Sequence, residues 1–416
     1  MFKFRTLAFA TSAMVSLLAA PAMAAGNTPG LAFAGALEFS DSGTLFVGDN
    51  YNGAIYAFDF ETDAPAESAA PVGIPDIDTK IADLLGIGAN ALEINDMAVH
   101  PQTNEIYISV TRIGNFASRP AIVKVTQDSE IELLDLAQAE FTRQKLASFP
   151  ESDTTFQARG LMGSPPSPRD LAKGETPLSS LAIMDMEYHN GELFVSGVAH
   201  DNFLSTLRRM SYPFDGSQGV TDVDMYHIAH DQYETRAPIR AMSVQVIDGK
   251  EQLVAAYTCS PLVLVPLEDI QDGAKISAHT IADMGNGQPV DMIPYQMNGQ
   301  DYLFVTSNSR SPQVIPVSGL NDTPVVTDAD FERGPKLDAG PVLPFGPVGE
   351  MVMFEGVSLQ MDRLGEEFFV SLTRDAYTGS LNLDSNPTFF PNRVHNLVAE
   401  YDFPQWYTEN GIDPEG

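Results

Sequence analysis

The chain has 416 residues, with 56 acidic against 23 basic side chains and a formal net charge of −33 at pH 7. A surface this acidic repels nucleic acids and anionic lipids, so we expect neither a nucleic-acid partner nor membrane insertion. Cys259 is the only cysteine, which excludes an internal disulfide. The folded state must therefore be held together by packing.

The N-terminus has the features of a secretory signal peptide. A positively charged start and a mostly apolar stretch end in Ala22-Met23-Ala24, an A-x-A cleavage site. We therefore expect cleavage after Ala24, removal of 1–24, and a periplasmic or secreted mature protein. The remainder, 25–416, is expected to form a single domain.

A β-rich core of four residues recurs six times along the chain. Each core follows an apolar segment and a short polar turn, and the cores lie at 45–48, 106–109, 193–196, 253–256, 303–306 and 368–371. A recurring β unit of roughly 40–50 residues with insertions is typical of propeller blades. The sequence therefore predicts an all-β fold, a six-bladed β-propeller.

Three stretches do not fit a four-stranded blade: 65–93, 137–180 and 377–393. All fall in loops on the face where the first strand of each blade begins, called the upper face below. Long loops in compact domains are usually functional, so we interpret these stretches as insertions over one end of the axis. We expect strands from both termini to close the ring, with the segment after Gly30 as the N-terminal contributor.

Polar residues stand at the upper entrance of the first strand in five blades. They are Asn95 with Asp96, Asp185, Arg240, Asp291 and Glu355. Three of the aspartates precede methionine, and strand alternation sends the acid to the axis while the methionine packs between blades. Gathered carboxylates repel each other unless a cation lies among them, and hard oxygen ligands suit calcium or magnesium. Alternatively, each aspartate only caps its own strand.

Further polar residues follow the second strands on the same face. Arginines hold carboxylates through forked hydrogen bonds, which makes an anionic small molecule a candidate substrate. The candidate substrate-binding residues are Arg112, Arg240, Arg310, Arg374 and Asn308. Salt bridges to neighbouring acids are the alternative role for these arginines.

Two pairs of residues bear on metal or redox chemistry. His200 and Cys259 leave adjacent blades at similar heights, as a thiol–imidazole pair or a soft-metal site would require. His227 and His230 are three residues apart, which on a strand would place them on opposite faces. We therefore expect no shared site for the latter pair.

Two repeated phrases resemble the six-bladed calcium-dependent propellers, namely the gluconolactonase-like (regucalcin-type), paraoxonase and strictosidine-synthase-like proteins. They are Asn-Asp-Met-Ala-Val-His-Pro at 95–101 and Gly-Thr-Leu-Phe-Val-Gly-Asp at 43–49. The resemblance implies an axial calcium ion held by Glu355, Asn95, Asp185 and Asp291. It also implies hydrolysis of a lactone or ester, with Asp185 or His200 as the base.

Two other classes of function stay open. One is a non-catalytic periplasmic binding or scaffold propeller. The other is a redox propeller that uses His200 and Cys259 with copper or a bound quinone. The metal content of the purified protein discriminates among the three classes, because calcium supports the hydrolase, copper supports the redox protein, and no metal supports the binding propeller.

Overall fold

The computed structural model describes residues 30–60, 64–114, 117–151, 154–156, 176–200, 204–258, 260–285, 288–308, 312–333, 336–337, 340–341, 345–346, 357–375 and 378–388. The expected signal peptide and the candidates Cys259, Arg310 and Glu355 lie outside these residues. No helix in the described ranges is long and apolar enough to cross a membrane.

Strands dominate the described chain from its N-terminal part onward. In chain order this part contains β1 (Leu37–Phe39), β2 (Leu45–Asp49), β3 (Ala54–Asp59), β4 (Gly73–Ile74), α1 (Ile77–Leu84), β5 (Leu92–Val99), β6 (Ile106–Gly114), β7 (Ala117–Val125), β8 (Ile131–Leu133), β9 (Glu140–Lys145), β10 (Thr155–Phe156) and β11 (Thr176–Pro177).

The central part continues with longer strands. They are β12 (Asp185–His189), β13 (Glu192–Ala199), β14 (Leu204–Ser211), β15 (Gly219–His227), β16 (Gln232–Glu234), β17 (Ile239–Ile247), β18 (Lys250–Tyr257), β19 (Pro261–Pro266) and β20 (Lys275–Asp283).

The last part adds further strands and a second short α-helix. They are β21 (Pro289–Met297), β22 (Gln300–Ser307), β23 (Gln313–Pro316), α2 (Asp328–Arg333), β24 (Lys336–Leu337), β25 (Gly340–Pro341), β26 (Val357–Leu364), β27 (Phe368–Arg374) and β28 (Leu381–Pro387). Short 3₁₀ helices lie at Ala89–Ala91, Leu178–Leu181, Leu267–Asp269 and Leu320–Asp322.

These strands form six antiparallel blades, numbered by the position of their innermost strand in the chain. From the axis outward, the blades are β1-β2-β3-β9, β5-β6-β7-β8, β12-β13-β14-β15, β17-β18-β19-β20, β21-β22-β23 and β26-β27-β28-β4. The outermost strands β15 and β20 pair in parallel, which joins blades 3 and 4 in one sheet. The predicted all-β propeller is thus confirmed.

The blades follow a different order around the axis than along the chain. Strand β1 contacts both β5 and β12, and β5 also contacts β26. The ring therefore runs through blades 1, 3, 4, 5, 6 and 2. The chain leaves blade 1 after three strands, adds β4 to blade 6, builds blade 2, and returns to add β9 to blade 1.

The three stretches predicted as insertions thus also contribute to blades. Strand β4 belongs to 65–93, β9 to 137–180 and β28 to 377–393. Strands β4 and β9 are far along the chain from the other strands of their blades, so only their pairing assigns them to blades 6 and 1.

The segment after Gly30, the candidate for closing the ring, does not complete blade 6 within the described residues. That segment is held on blade 1, where the Ala32 N–H donates to Asp49 Oδ2 at 2.8 Å. Strand β4 completes blade 6 instead, with Ile74 opposite Leu383. The Val72 N–H donates to Ser385 Oγ at 2.9 Å beside this pairing.

Apolar side chains fill all six junctions between neighbouring blades. The methionines predicted to pack there do so: Met97 joins blade 2 to blade 6, Met186 joins blade 3 to blade 1, Met242 joins blade 4 to blade 3, and Met292 joins blade 5 to blade 4. Each fully buried large apolar side chain contributes about 1.5–3 kcal/mol. Because the core is spread between the blades, the axis is left to polar side chains.

Candidate functional site: the axial channel

A cavity of about 550 Å³ lies on the propeller axis, lined by residues of all six innermost strands. Six carboxyl groups face it: Glu38, Asp96, Asp185, Glu187, Asp291 and Asp362. Among the described lining residues, Arg240 is the one cationic side chain. The channel therefore concentrates negative charge inside the molecule.

The channel carboxylates also bridge neighbouring blades. Asp185 Oδ2 accepts a hydrogen bond from the Met242 N–H at 2.7 Å, and Glu187 Oε1 accepts one from the Val244 N–H at 2.7 Å. Four equivalent bonds run from Leu37 N–H to Asp96 at 2.7 Å, Tyr188 N–H to Glu38 at 3.2 Å, Met361 N–H to Asp291 at 3.1 Å, and Val99 N–H to Asp362 at 2.7 Å. The acids thus fasten innermost strands to each other.

The junction of blades 4 and 5 differs from the others. In blade 4, Ala241 stands before Met242, where blades 2, 3 and 5 have aspartate. Within the described ranges, no carboxylate bridge spans this junction. Arg240, one residue earlier, instead places a positive charge at the channel.

Enclosure raises the pKa of every channel carboxyl group. Removal from bulk water is the largest cause, and it brings the pKa of Asp96 and Glu187 to about 7 and that of Asp362 to about 6, although backbone hydrogen bonds act in the opposite direction. For Glu38, Asp185 and Asp291, burial and then neighbouring carboxylates raise the pKa well above its ordinary value. The channel therefore favours uptake of protons or of another cation.

Asn95 lies where the channel adjoins a second cavity, of about 590 Å³, between blades 2 and 6. Its side-chain N–H groups donate to Ala34 O at 2.7 Å and Thr111 Oγ1 at 2.9 Å, which leaves Oδ1 as an acceptor. Arg374 lines the second cavity and donates to Gly379 O at 2.6 Å. A carbonyl oxygen donor and a guanidinium thus border the same space.

The structure places the other base candidate, His200, away from the channel. Its Nε2 lies 3.8 Å from Asp222 Oδ1, and its side chain is 42% exposed. His200 lines neither cavity, whereas Asp185 lines the channel.

Two predicted substrate-binding residues also lie outside the cavities. Asn308 Oδ1 accepts a hydrogen bond from the Gln288 N–H at 3.0 Å. Arg112 Nη2 donates to Pro120 O at 3.5 Å, and its buried Nε has no hydrogen-bond partner among the described residues. The structure thus brings together Asn95, Asp96, Asp185, Arg240 and Asp291, and separates them from Arg112, His200 and Asn308.

Sequence reasoning missed three of the six channel acids, Glu38, Glu187 and Asp362. Selection by position at the predicted entrances of first strands finds only Asp96, Asp185, Asp291 and Glu355. Strand alternation alone could have found Glu187, because it lies two residues after Asp185 and therefore shares its face.

The expectation that His227 and His230 face away from each other is also wrong. His227 ends β15, but His230 lies in the turn before β16, where strand alternation does not apply. Their ring centroids are 4.3 Å apart. Together with Glu234 they are the only three His, Cys, Asp or Glu side chains in the described ranges whose ligand atoms all lie within 4.8 Å of one another.

No family model and no curated protein matches this chain. Solved structures of similar architecture include the plexin A4 extracellular region, 8% identical over 86% of this chain with a TM-score of 0.37. The match spans only 50% of the plexin chain.

Two enzymes also match. The apo-form of the soluble aldose sugar dehydrogenase from Escherichia coli is 12% identical, with 86% of this chain and 97% of that chain covered and a TM-score of 0.31. The GH43 endo-arabinanase from Bacillus licheniformis is 16% identical, with 71% and 93% covered and a TM-score of 0.32. Values this low concern general fold alone, so the resemblance to gluconolactonase-like propellers stays a prediction.

Proposed function

We propose that the axial channel binds a calcium ion and that the protein hydrolyses a lactone or ester bond of a small anionic substrate at its upper mouth. One observation carries the proposal: six carboxyl groups share a channel of about 550 Å³ with a single guanidinium among the described residues. Ionised carboxylates at such a density repel each other, and a divalent cation removes that cost.

The donor set suits calcium better than magnesium. Calcium accepts six to eight oxygen ligands in flexible geometry, including amide oxygens and water, whereas magnesium demands a near-ideal octahedron. No three described channel carboxylates lie within 4.8 Å of one another. The ion would therefore be held by one or two of Asp96, Asp185 and Asp291, with Asn95 Oδ1 and water.

The residues around the channel would divide the chemistry between them. A bound cation polarises a carbonyl group and lowers the pKa of a water molecule. Arg374, in the adjoining cavity, would hold a substrate carboxylate. Asp185 rather than His200 would accept the proton, since Asp185 lines the channel and His200 lines neither cavity.

A matched pair of variants tests the cation site. Asp185 and Glu187 lie on the same strand and each bridges to β17, but only Asp185 belongs to the proposed ligand set. Calorimetric titration of the chelator-treated protein with Ca²⁺ should show a loss of affinity of at least about tenfold for Asp185→Asn and a smaller loss for Glu187→Gln. Equal losses, or no binding by the wild type, would contradict the site.

Activity on a panel of lactones and esters tests the reaction. A chelator should abolish turnover, and Ca²⁺ should restore it. Arg374→Gln should raise KM for anionic substrates about 10–100-fold, because a charged hydrogen bond is lost, whereas Arg112→Gln should change it little. Calcium binding without turnover of any lactone or ester would leave the cation site standing and retire the hydrolase.

A second candidate is a non-catalytic binding propeller, and one observation favours it. The bridges between blades give each channel carboxylate a structural role that requires no reaction. Under this reading, the channel binds a cation or a cationic molecule for stability or transport. For the redox alternative, His200 is separated from the channel and Cys259 lies outside the described residues.

A further inference from the structure

A second polar cluster lies at the outer edge of blades 3 and 4. Strands β15 and β20 pair in parallel, so their C-terminal ends meet at the same edge. His227 ends β15 and Asp283 ends β20, while the hairpin strand β16 brings Glu234 beside His227. None of these three residues lines the axial channel.

Three side chains of the cluster converge on one point. His227 Nδ1 lies 3.0 Å from Glu234 Oε2, and His230 Nδ1 contacts Glu234 Oε1. We propose that His227, His230 and Glu234 bind a divalent transition-metal ion such as Zn²⁺. Two imidazoles and a carboxylate suit zinc and its neighbours, whereas calcium takes oxygen ligands.

The fourth member of the cluster, Asp283, is the independent indication of a metal. It is fully buried, and its Oδ1 accepts hydrogen bonds from Ser260 Oγ at 2.6 Å and the Gly285 N–H at 2.9 Å. Its Oδ2 lies 3.3 Å from His227 Nε2 and has no other partner among the described residues. Histidine ligands almost always give their second ring N–H to a carboxylate, a backbone carbonyl or water, which fixes the tautomer with its lone pair toward the metal, and Asp283 is placed to be that carboxylate.

The arrangement leaves room for an exogenous ligand. His230 is 35% exposed, while His227 is only 3% exposed, so solvent reaches the cluster from the His230 side. Tetrahedral zinc has four ligands, and sites with three protein ligands keep the fourth for water or a small anion. The alternative is a metal-free cluster in which His227 is protonated between two carboxylates.

Zinc titration of the untagged full-length protein separates these possibilities. The protein is stripped with a chelator and supplied with excess Ca²⁺, so that the axial channel is filled before Zn²⁺ is added. Calorimetry should then show one high-affinity zinc site, weakened about 10–100-fold or more by His230→Ala and by Glu234→Gln. His189→Ala is the control, because His189 Nε2 also contacts a glutamate, Glu251, at 2.9 Å but has no second histidine there.

Cobalt gives a spectroscopic reading of the same site. Co²⁺ bound by two imidazoles should show visible absorption bands that persist in His189→Ala and disappear in His230→Ala. If Glu234→Gln fails to fold, the exposed His230→Ala still carries the test. Equal zinc affinity in wild type and His230→Ala, or no tight zinc binding at all, would overturn the proposal.

Discussion

Partly or fully buried carboxyl groups in the axial channel and at the outer histidine cluster have pKa values shifted in opposite directions. In the channel, removal from water raises the pKa of Asp96 to about 7. At the outer edge, burial also acts on Glu234, but hydrogen bonds with His227, Gln232 and His230 outweigh it and lower its pKa to about 2. Burial alone therefore does not decide whether a carboxyl group is ionised. A nearby compensating charge decides it.

Burial and hydrogen bonding also act in opposite directions on the pKa of His227 in the outer cluster. Burial alone would lower the pKa of His227, but its hydrogen bonds with Asp283 and Glu234 raise it to about 9. Imidazoles can carry a proton or a metal ion in the same position, so the outer cluster can exchange one for the other. The channel has one guanidinium for six carboxyl groups among the described residues. Compensation of its remaining negative charge therefore requires protons or cations from the solvent.

The largest expected difference is in the dependence of stability on pH. A carboxyl group whose folded-state pKa is raised stabilises the fold below about pH 4 and loses that contribution as pH rises through the folded-state value. Without divalent cations, the free energy of unfolding should therefore fall by several kcal/mol between about pH 4 and pH 8. The fall should be steepest between about pH 4 and the folded-state pKa values, about 6 for Asp362 and about 7 for Asp96 and Glu187.

Urea denaturation across this range, with and without Ca²⁺, measures the effect. Calcium should restore stability at the alkaline end and have little effect at the acidic end, where protons occupy the carboxylates. The outer cluster should behave differently. Its His227–Glu234 contribution is complete between about pH 4.5 and 6.5, is lost as pH rises from there through about 9, and is lost as pH falls from about 4.5 toward 2. A stability that rises from about pH 4 to pH 8 without calcium would break the comparison.

Metal-induced stabilisation should dissociate between the two regions. A ligand at about 100 times its Kd stabilises the fold by about 2.7 kcal/mol. Asp185→Asn should lose the shift in Tm caused by Ca²⁺ and keep the shift caused by Zn²⁺. His230→Ala should do the reverse. Loss of both shifts in either variant would mean that the two regions are not independent.

The fold was predictable from sequence where local pattern decides it. The core at 106–109, for example, lies within β6 because apolar β-formers follow a polar turn. The order of blades was not predictable, because it depends on β4. Gly73–Ile74 is too short to carry a strand pattern, and only its pairing with β28 places it in blade 6.

In the candidate sites, too, some residues could be predicted from the sequence and others could not. Asp96, Asp185 and Asp291 were found because each precedes methionine at the start of a first strand. The contact between His227 and Asp283 was out of reach, since it requires two blades to pair their outermost strands in parallel. Spacing along the chain holds no information about that pairing.

Amide substitutions at two glutamates should change stability in opposite directions. Near pH 8, Glu187→Gln should stabilise the cation-free protein by about 1–3 kcal/mol, because the amide mimics the protonated form that the channel favours. Its Oε1 can still accept the Val244 N–H. Glu234→Gln should destabilise by about 1–3 kcal/mol, because charge-assisted bonds to His227 are lost. Chemical denaturation at that pH compares the two, and a change of the same sign in both would refute the contrast.

The smallest expected effect is that of His230→Ala in the metal-free protein. The His230 side chain is 35% exposed, and exposed ion pairs contribute about 0–1 kcal/mol because water competes for both partners. The free energy of unfolding should therefore stay within about 1 kcal/mol of the wild-type value in the presence of chelator. In saturating Zn²⁺ the same substitution should remove the whole zinc-dependent increment. A large loss of stability in chelator would instead identify His230 as a structural member of the cluster, held by Glu234 whether or not a metal is bound.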